Sequence, residues 1–190
     1  MFDIPLVIFA GGKSSRMGED KSLLPFGEYQ SLAQFQYERL RPFFKQIFIS
    51  TKTKEKFNFK ANFIEDDSSF DIFAPTIGLY SSLKILQKDI LVISVDTPLI
   101  TVDILSNIIT SHKNHDATIA FADGYKHPLI GIYSIKLLPY LEKMIQQNQH
   151  KLGILLKDSN TQYIEFDNID KFANLNTPQE YKEVYKSVKR

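Results

Sequence analysis

Two short, almost wholly apolar runs, residues 5–10 (PLVIFA) and 90–95 (ILVISV), constrain this 190-residue chain more than any other feature. A strand with one wet face alternates apolar and polar residues. A strand apolar at nearly every position is covered on both faces, the arrangement of parallel sheets flanked by helices. Further strands are expected over residues 46–51 (QIFIST), 61–65, 117–122 and 129–134. Between them lie amphipathic stretches. One helix is expected to open at Ser31, with Gln34 at capping-box spacing and Leu32, Phe35, Leu40 and Phe43 recurring behind it. Others are expected over 76–86, 98–112 and 136–147, and from Pro178, where Tyr181, Val184, Tyr185 and Val188 fall on one face. No repeat, low-complexity stretch or linker interrupts the pattern. The expectation is one α/β domain over residues 1–190, a three-layer α/β/α arrangement on a mostly parallel sheet.

Composition narrows the function classes. A chain of this length buries roughly 70% of its unfolded surface, so its core needs no staple. It has no cysteine, which removes thiolate zinc sites, iron–sulfur clusters, cysteine nucleophiles and disulfides. The formal net charge of +1 gives no reason to expect a nucleic-acid partner or an acidic membrane. The first apolar run is too short to span a bilayer and has no basic residue before it. Neither an anchor nor a signal peptide is expected, and a cytoplasmic location is.

In doubly wound sheets the ligand crevice lies beyond the carboxyl ends of the strands, so residues just after strands carry the chemistry. After the first run comes Ala10-Gly11-Gly12-Lys13-Ser14-Ser15-Arg16-Met17-Gly18-Glu19-Asp20-Lys21. Glycines let backbone amides approach an anion, and Arg16 and Lys21 supply countercharge, which suits a polyphosphate. Gly12 and Gly18 enclose five residues, and Glu19 follows, so this is not a Walker A loop; the dinucleotide fingerprint is absent as well. After the second run comes Asp96-Thr97-Pro98. A carboxylate there is placed to hold Mg2+, which takes one or two carboxylates plus phosphates and waters. The competing reading is that Asp96 caps the helix expected to follow.

Other polar groups have plainer readings. Glu65-Asp66-Asp67 reads as a turn-forming acidic cluster. His112 and His115 lie in a polar stretch and are expected to be a solvated loop rather than a metal site. Lys52, Lys54, Lys56 and Lys60 are also expected to be solvated, with a phosphate or partner contact as the minority reading. Thr177 and Pro178 read as an N-cap and first helical residue.

The loop pattern A-G-G-x-S-x-R-M-G-x-D-K resembles that of nucleotidyltransferases joining a nucleoside triphosphate to a phosphorylated acceptor. Within that superfamily the chain is most similar to the molybdenum cofactor guanylyltransferases. The supporting residues are Ile64-Glu65-Asp66, residues 74–79 (APTIGL), Asp96-Thr97-Pro98, His127-Pro128 and residues 174–178 (NLNTP), in the family's order across nearly the whole chain. The resemblance implies a Rossmann-like fold of the nucleotide-diphospho-sugar transferase type, with its N-terminal part on the nucleotide and its C-terminal part on the acceptor. It implies GTP and Mo-molybdopterin as substrates and Mg2+ as cofactor. Molybdenum-insertion and molybdoenzyme-assembly proteins are the implied partners.

Residue by residue, the resemblance implies that Phe9, Ala10, Gly11, Gly12, Lys21, Ser50, Asp66 and Asp96 bind the nucleotide. Arg16, Lys21 and Asp96 would serve catalysis, with Asp96 also holding the metal. His127, Asn174, Asn176 and Thr177 would face the acceptor. Phe9 stands where the family usually has leucine, and Ser50 where an asparagine often helps hold the nucleotide. Ala74 replaces a glycine, and Ser94-Val95 replaces Pro-Cys. None of these departures removes a charged group. The alternatives are a cytidylyltransferase or sugar-phosphate nucleotidylyltransferase on the same fold, or a catalytically silent nucleotide-binding carrier.

Overall fold

The computed structural model describes residues 1–11, 18–70 and 72–188. Among these, one seven-stranded sheet is formed by β1 (Leu6–Phe9), β2 (Ile47–Thr51), β3 (Phe63–Glu65), β4 (Ile90–Ser94), β5 (Ala117–Ala122), β6 (Tyr125–Tyr133) and β7 (Thr161–Phe166). The spatial order is β3-β2-β1-β4-β6-β5-β7. Pairing is parallel from β3 through β4 and between β5 and β7, whereas β6 runs antiparallel to both of its neighbours.

The helices are α1 (Leu32–Leu40), α2 (Pro75–Leu86), α3 (Val102–Ser111), α4 (Leu138–Gln146), α5 (Leu152–Lys157) and α6 (Pro178–Val188). They divide between the two faces of the sheet. Leu6, Ile8, Ala10, Leu91 and Ile93 pack with α1, α3 and α6; Val7, Phe9, Ile90 and Val92 pack with α2, α4 and α5. The continuous apolar runs are therefore two interleaved faces, each with its own helical layer. Each large side chain buried in this way contributes roughly 1.5–3 kcal/mol.

Most expected elements are present, with instructive differences. Ser31 caps α1 by accepting from the Gln34 amide at 3.1 Å, while the Gln34 side chain reaches back to the Gln30 amide at 3.2 Å. α3 starts at Val102 rather than at residue 98, because Thr101 supplies the cap to the Ile104 amide. The segment from Asp96 to Ile100 is thus loop, and Asp96 is not that helix's cap. β6 starts at Tyr125 rather than at residue 129, behind a turn in which Asp123 and Gly124 have φ of 52° and 73°. β7 and α5 were not expected. β7 is only partly buried and lacks the apolar signature, and α5 is too short to show a helical period.

Two groups read as solvated loop are embedded. The His112 ring closes the end of α3, with Nδ1 2.8 Å from Thr118 Oγ1 and Nε2 3.6 Å from Asp89. Burial lowers its pKa, opposed by Asp89. His115 Nδ1 is buried, and among the described residues no cluster of three or more potential ligands gathers for a metal. Lys56 is the other embedded group.

The chain builds β1, β2 and β3 outward in one direction, then returns to the far side of β1 for β4. The strand order therefore reverses between β1 and β4, whose last residues, Phe9 and Ser94, are register partners. Such a reversal opens a crevice at the carboxyl edge, where the two connections leave in opposite directions.

Candidate active site

Two pockets, each of about 230 Å³, meet at this reversal. The first lies against the ends of β1 and β4 and is lined by Phe9, Ala10, Gly11, Lys21 and Asp96 among others. The second lies toward β6 and is lined by Asp96, Thr97, Lys126, His127, Pro128 and Asn174 among others. Ser94, Asp96 and Leu129 belong to both walls.

Asp96 is held from several directions. Ser94 Oγ donates to its Oδ1 at 2.5 Å, and Lys21 Nζ lies 3.2 Å from its Oδ2. Its backbone carbonyl accepts from the Leu175 amide at 2.9 Å, which ties the segment 174–176 to the end of β4. Lys21 opens a 3-10 turn (Lys21–Leu23) and also donates to Asn176 Oδ1 at 2.8 Å. One ammonium thus joins the glycine-loop side to both Asp96 and the C-terminal segment.

The turn beneath Lys21 is built by local and long-range bonds. Asp20 caps it, accepting from the Ser22 amide and hydroxyl at 3.0 and 2.7 Å. Lys56 then reaches across from beyond β2 to Asp20 Oδ2 (2.7 Å), the Ala10 carbonyl (3.0 Å) and Ser22 Oγ (3.1 Å). Far from being solvated, it fastens the entry of the glycine loop at Ala10 to its exit at Asp20. A half-buried charge with three partners of this kind is a fixed strut rather than a free surface charge.

Asp66 follows β3, close to Gly11 and Gly78. Its Oδ1 is buried without a hydrogen-bond partner, and burial raises its pKa, opposed by Lys52, the Ser50 hydroxyl and Lys56. Gly78, in the first turns of α2, faces the same spot. A Cβ there would lie 3.0 Å from Ser50 Oγ, 3.3 Å from the Phe9 ring and 3.4 Å from Asp66 Oδ1. The missing side chain is what lets α2 come this close. Asp67, by contrast, behaves as the turn former expected of the acidic cluster. It accepts from Ser69 and pairs with Lys84 at 3.0 Å, and these partners lower its pKa to about 2.

On the other side, the His127 ring packs 4.8 Å from Phe172. Burial lowers its pKa, opposed by a backbone hydrogen bond to Ala122. Asn174 lines this pocket, whereas Asn176 and Thr177 line neither. Asn176 is instead the partner of Lys21. Thr177 caps α6, its Oγ1 accepting from the Glu180 amide at 3.2 Å while Glu180 Oε2 accepts from the Asn176 and Thr177 amides at 2.8 Å.

Of the expected site residues, Phe9, Ala10, Gly11, Lys21 and Asp96 line the first pocket. Ser50 and Asp66 adjoin it through Gly78. His127 and Asn174 line the second pocket. Gly12 and Arg16 lie outside the described residues. Sequence reasoning missed Lys56, Ser94 and Lys126. For Lys126 a signal existed in Asp123-Gly124, a hairpin pair that would have started β6 earlier and put Lys126 beside His127 on the strand. Nothing local marks Lys56, whose partners are distant in sequence.

Comparison with known proteins agrees with this architecture. Residues 6–162 match the family model described as a MobA-like NTP transferase domain. A molybdenum cofactor guanylyltransferase of Campylobacter jejuni is 35% identical over 98% of each chain. One from Helicobacter pylori is 32% identical over 99% of this chain and 94% of the relative. The crystal structure of molybdopterin-guanine dinucleotide biosynthesis protein A from Archaeoglobus fulgidus superposes with a TM-score of 0.84, covering 97% of this chain and 98% of that one at 22% identity. That likeness shows a shared fold. With a glycine loop and a carboxylate at the strand-order reversal, and with relatives matching along nearly their whole length, the chain belongs to the MobA-like NTP transferase family and is a nucleotidyltransferase.

Proposed function

We propose that this protein transfers GMP from GTP to the terminal phosphate of Mo-molybdopterin, forming the molybdopterin guanine dinucleotide and releasing pyrophosphate. The observation that carries the reading is the shared wall at Asp96, with a glycine-lined pocket on one side and a second pocket on the other. The names of the full-length relatives supply the substrates. A transfer between two bound phosphate compounds needs this plan: two pockets and one charged centre reaching both.

An acceptor phosphate oxygen attacks the α-phosphorus, the bond to the β-phosphate breaks, and pyrophosphate leaves. No protein nucleophile is required. The chain contributes positioning and charge. The Gly11 and Gly12 amides, with Arg16 and Lys21, receive the departing pyrophosphate, and Asp66 and Ser50 lie on the nucleotide side. Lys21 is already hydrogen-bonded to Asp96 and Asn176, so its charge is aimed before substrate arrives. His127 and Asn174 border the acceptor. Mg2+ fits the donor chemistry, since one carboxylate open to the crevice is enough for a cation that completes its shell with phosphate and water. Asp96 would hold it, and when bound it supplies positive charge to the phosphate oxygens. Partner proteins that bring or receive the molybdenum cofactor belong to the same proposal.

The test is pyrophosphate release by purified protein with Mg2+ and Mo-molybdopterin, comparing GTP, CTP, ATP and UTP. Release with GTP and a guanine dinucleotide product is expected. Preference for CTP would change the nucleotide assignment. GTP binding with no release from any of the four would make the protein a carrier.

A further inference from the structure

Two polar side chains of α1, neither of which lines a pocket, reach the backbone of the Asp96 loop. Gln36 is fully buried. Its Nε2 donates to the carbonyls of Ser94 (3.4 Å) and Val95 (3.2 Å), the last two residues before Asp96. Its Oε1 accepts from Arg39 Nε at 2.7 Å, and Arg39 Nη1 donates to the Ile100 carbonyl at 2.8 Å, just beyond the loop. One helical turn therefore grips the backbone on both sides of Asp96-Thr97-Pro98-Leu99.

Packing alone does not account for this arrangement. Arg39 Nη2 is buried without a hydrogen-bond partner, and no carboxylate among the described residues pairs with the guanidinium. Burial lowers its pKa to about 10, so it is still a cation at neutral pH. The Phe35 ring, 5.6 Å away, gives it further support. Two apolar side chains of similar length would fill the space without burying an incompletely satisfied charge. What they could not do is hold three carbonyls at fixed points. Those carbonyls belong to the segment that sets where the Asp96 carboxylate sits between Lys21 and the two pockets.

We infer that Gln36 and Arg39 are positioning residues, a brace that fixes the backbone carrying Asp96. They touch neither pocket and act only through the loop. The catalytic consequence rests on the guanylyl-transfer reading; the brace itself does not. The choice of variant follows from the donor pattern. Gln36→Glu keeps the volume and the acceptor for Arg39 but replaces the donor to Ser94 and Val95 with an oxygen. Arg39→Lys keeps the charge and loses the fork that spans Gln36 and Ile100.

The experiment measures amide hydrogen exchange in the full-length, substrate-free protein, then steady-state kinetics on the same samples. In Gln36→Glu, exchange at Thr97 and Ile100 is expected to speed up about tenfold or more, with Leu91 and Ile93 in β4 within about twofold of wild type. kcat is expected to fall about tenfold or more with the KM for GTP within about threefold, since displacement of a reacting group costs rate before it costs binding. Arg39→Lys is expected to give the same pattern, centred on Ile100. Unchanged exchange in the loop of both variants would overturn the inference, as would fast loop exchange with wild-type kcat. If wild-type protein itself formed no product, the guanylyl-transfer reading would fail while the exchange data still decided the brace.

Discussion

The two pockets that meet at Asp96 are built differently. The first rests on the parallel strands β1 and β4 and combines the small residues Ala10 and Gly11 with the charged Asp20, Lys21 and Asp96, while Gly78 lies behind it against Phe9, Ser50 and Asp66. The other side rests on the antiparallel strand β6 and the segment 174–176, and it presents side chains such as Lys126, His127 and Asn174. A polyphosphate needs close amides, which parallel strand ends followed by glycine supply. A larger acceptor needs projecting groups, and a strand running backwards through the sheet brings a stretch of them to the same edge. Among the described residues, only Asp96, Ser94 and Leu129 line both. Substitutions on the two sides should therefore separate kinetically, and the shared carboxylate should not.

The largest expected effect is at that shared position. Asp96→Ala, and Lys21→Ala beside it, should lower kcat by ~10²–10³, the usual cost of removing one charge-stabilising group at about 3–4 kcal/mol. Both variants should keep a native circular dichroism spectrum. Wild-type turnover in either would show that this ion pair is not the shared centre of the transfer.

Next comes Gly78→Ala. The added Cβ meets Ser50, the Phe9 ring and Asp66 at once, and overpacking of this kind costs about 1–3 kcal/mol. The KM for GTP should rise about tenfold while that for the acceptor stays near wild type. An equal rise in both would mean that the pockets are not separate.

Thr177→Ala removes the cap of α6. Loss of a threonine cap costs about 1 kcal/mol, which lowers the melting temperature of a domain this size by about 2–4 °C. An unchanged melting temperature would count against the capping role assigned to Thr177.

The smallest expected effect has the opposite sign. Burial raises the Asp66 pKa, so the folded state holds that proton more tightly than the unfolded chain does. Stability contributed at this position therefore falls as pH rises from the ordinary carboxylate range through the raised value. Asp66→Asn should flatten that part of the profile and raise the melting temperature at pH 7 while weakening GTP binding. Thermal scans between pH 4 and 7, a range of about 3 units around carboxylate titration, provide the check. A variant less stable than wild type at pH 7 would contradict the assignment.

The same contrast explains what was legible in the sequence. The parallel half announces itself, because β1 and β4 are covered on both faces and nearly every residue is apolar. The glycine loop and Asp96 then follow by position alone. The other half is quieter. β7 is a half-exposed edge strand, and the first residues of β6 are Tyr125, Lys126, His127 and Pro128, which look like loop. Pro98 suggested a helix start, but the chain waits until Thr101 for a side chain able to cap. The site's supports were invisible for a different reason. Lys56 and Asp20 are 36 residues apart, and Gln36 and Val95 are 59 apart. Such pairs exist only once the sheet brings α1, β2 and β4 together, and no local pattern marks a polar residue that will be buried against a distant carbonyl.

The proposed transfer passes directly between two substrates held on either side of Asp96. It is tested most directly by the stereochemistry at the α-phosphorus, using GTP carrying a single α-thiophosphate diastereomer and determining the configuration of the dinucleotide product. A single in-line displacement gives inversion, the expected result. Retention would require two displacements and a nucleotidylated protein, and would rule out direct transfer.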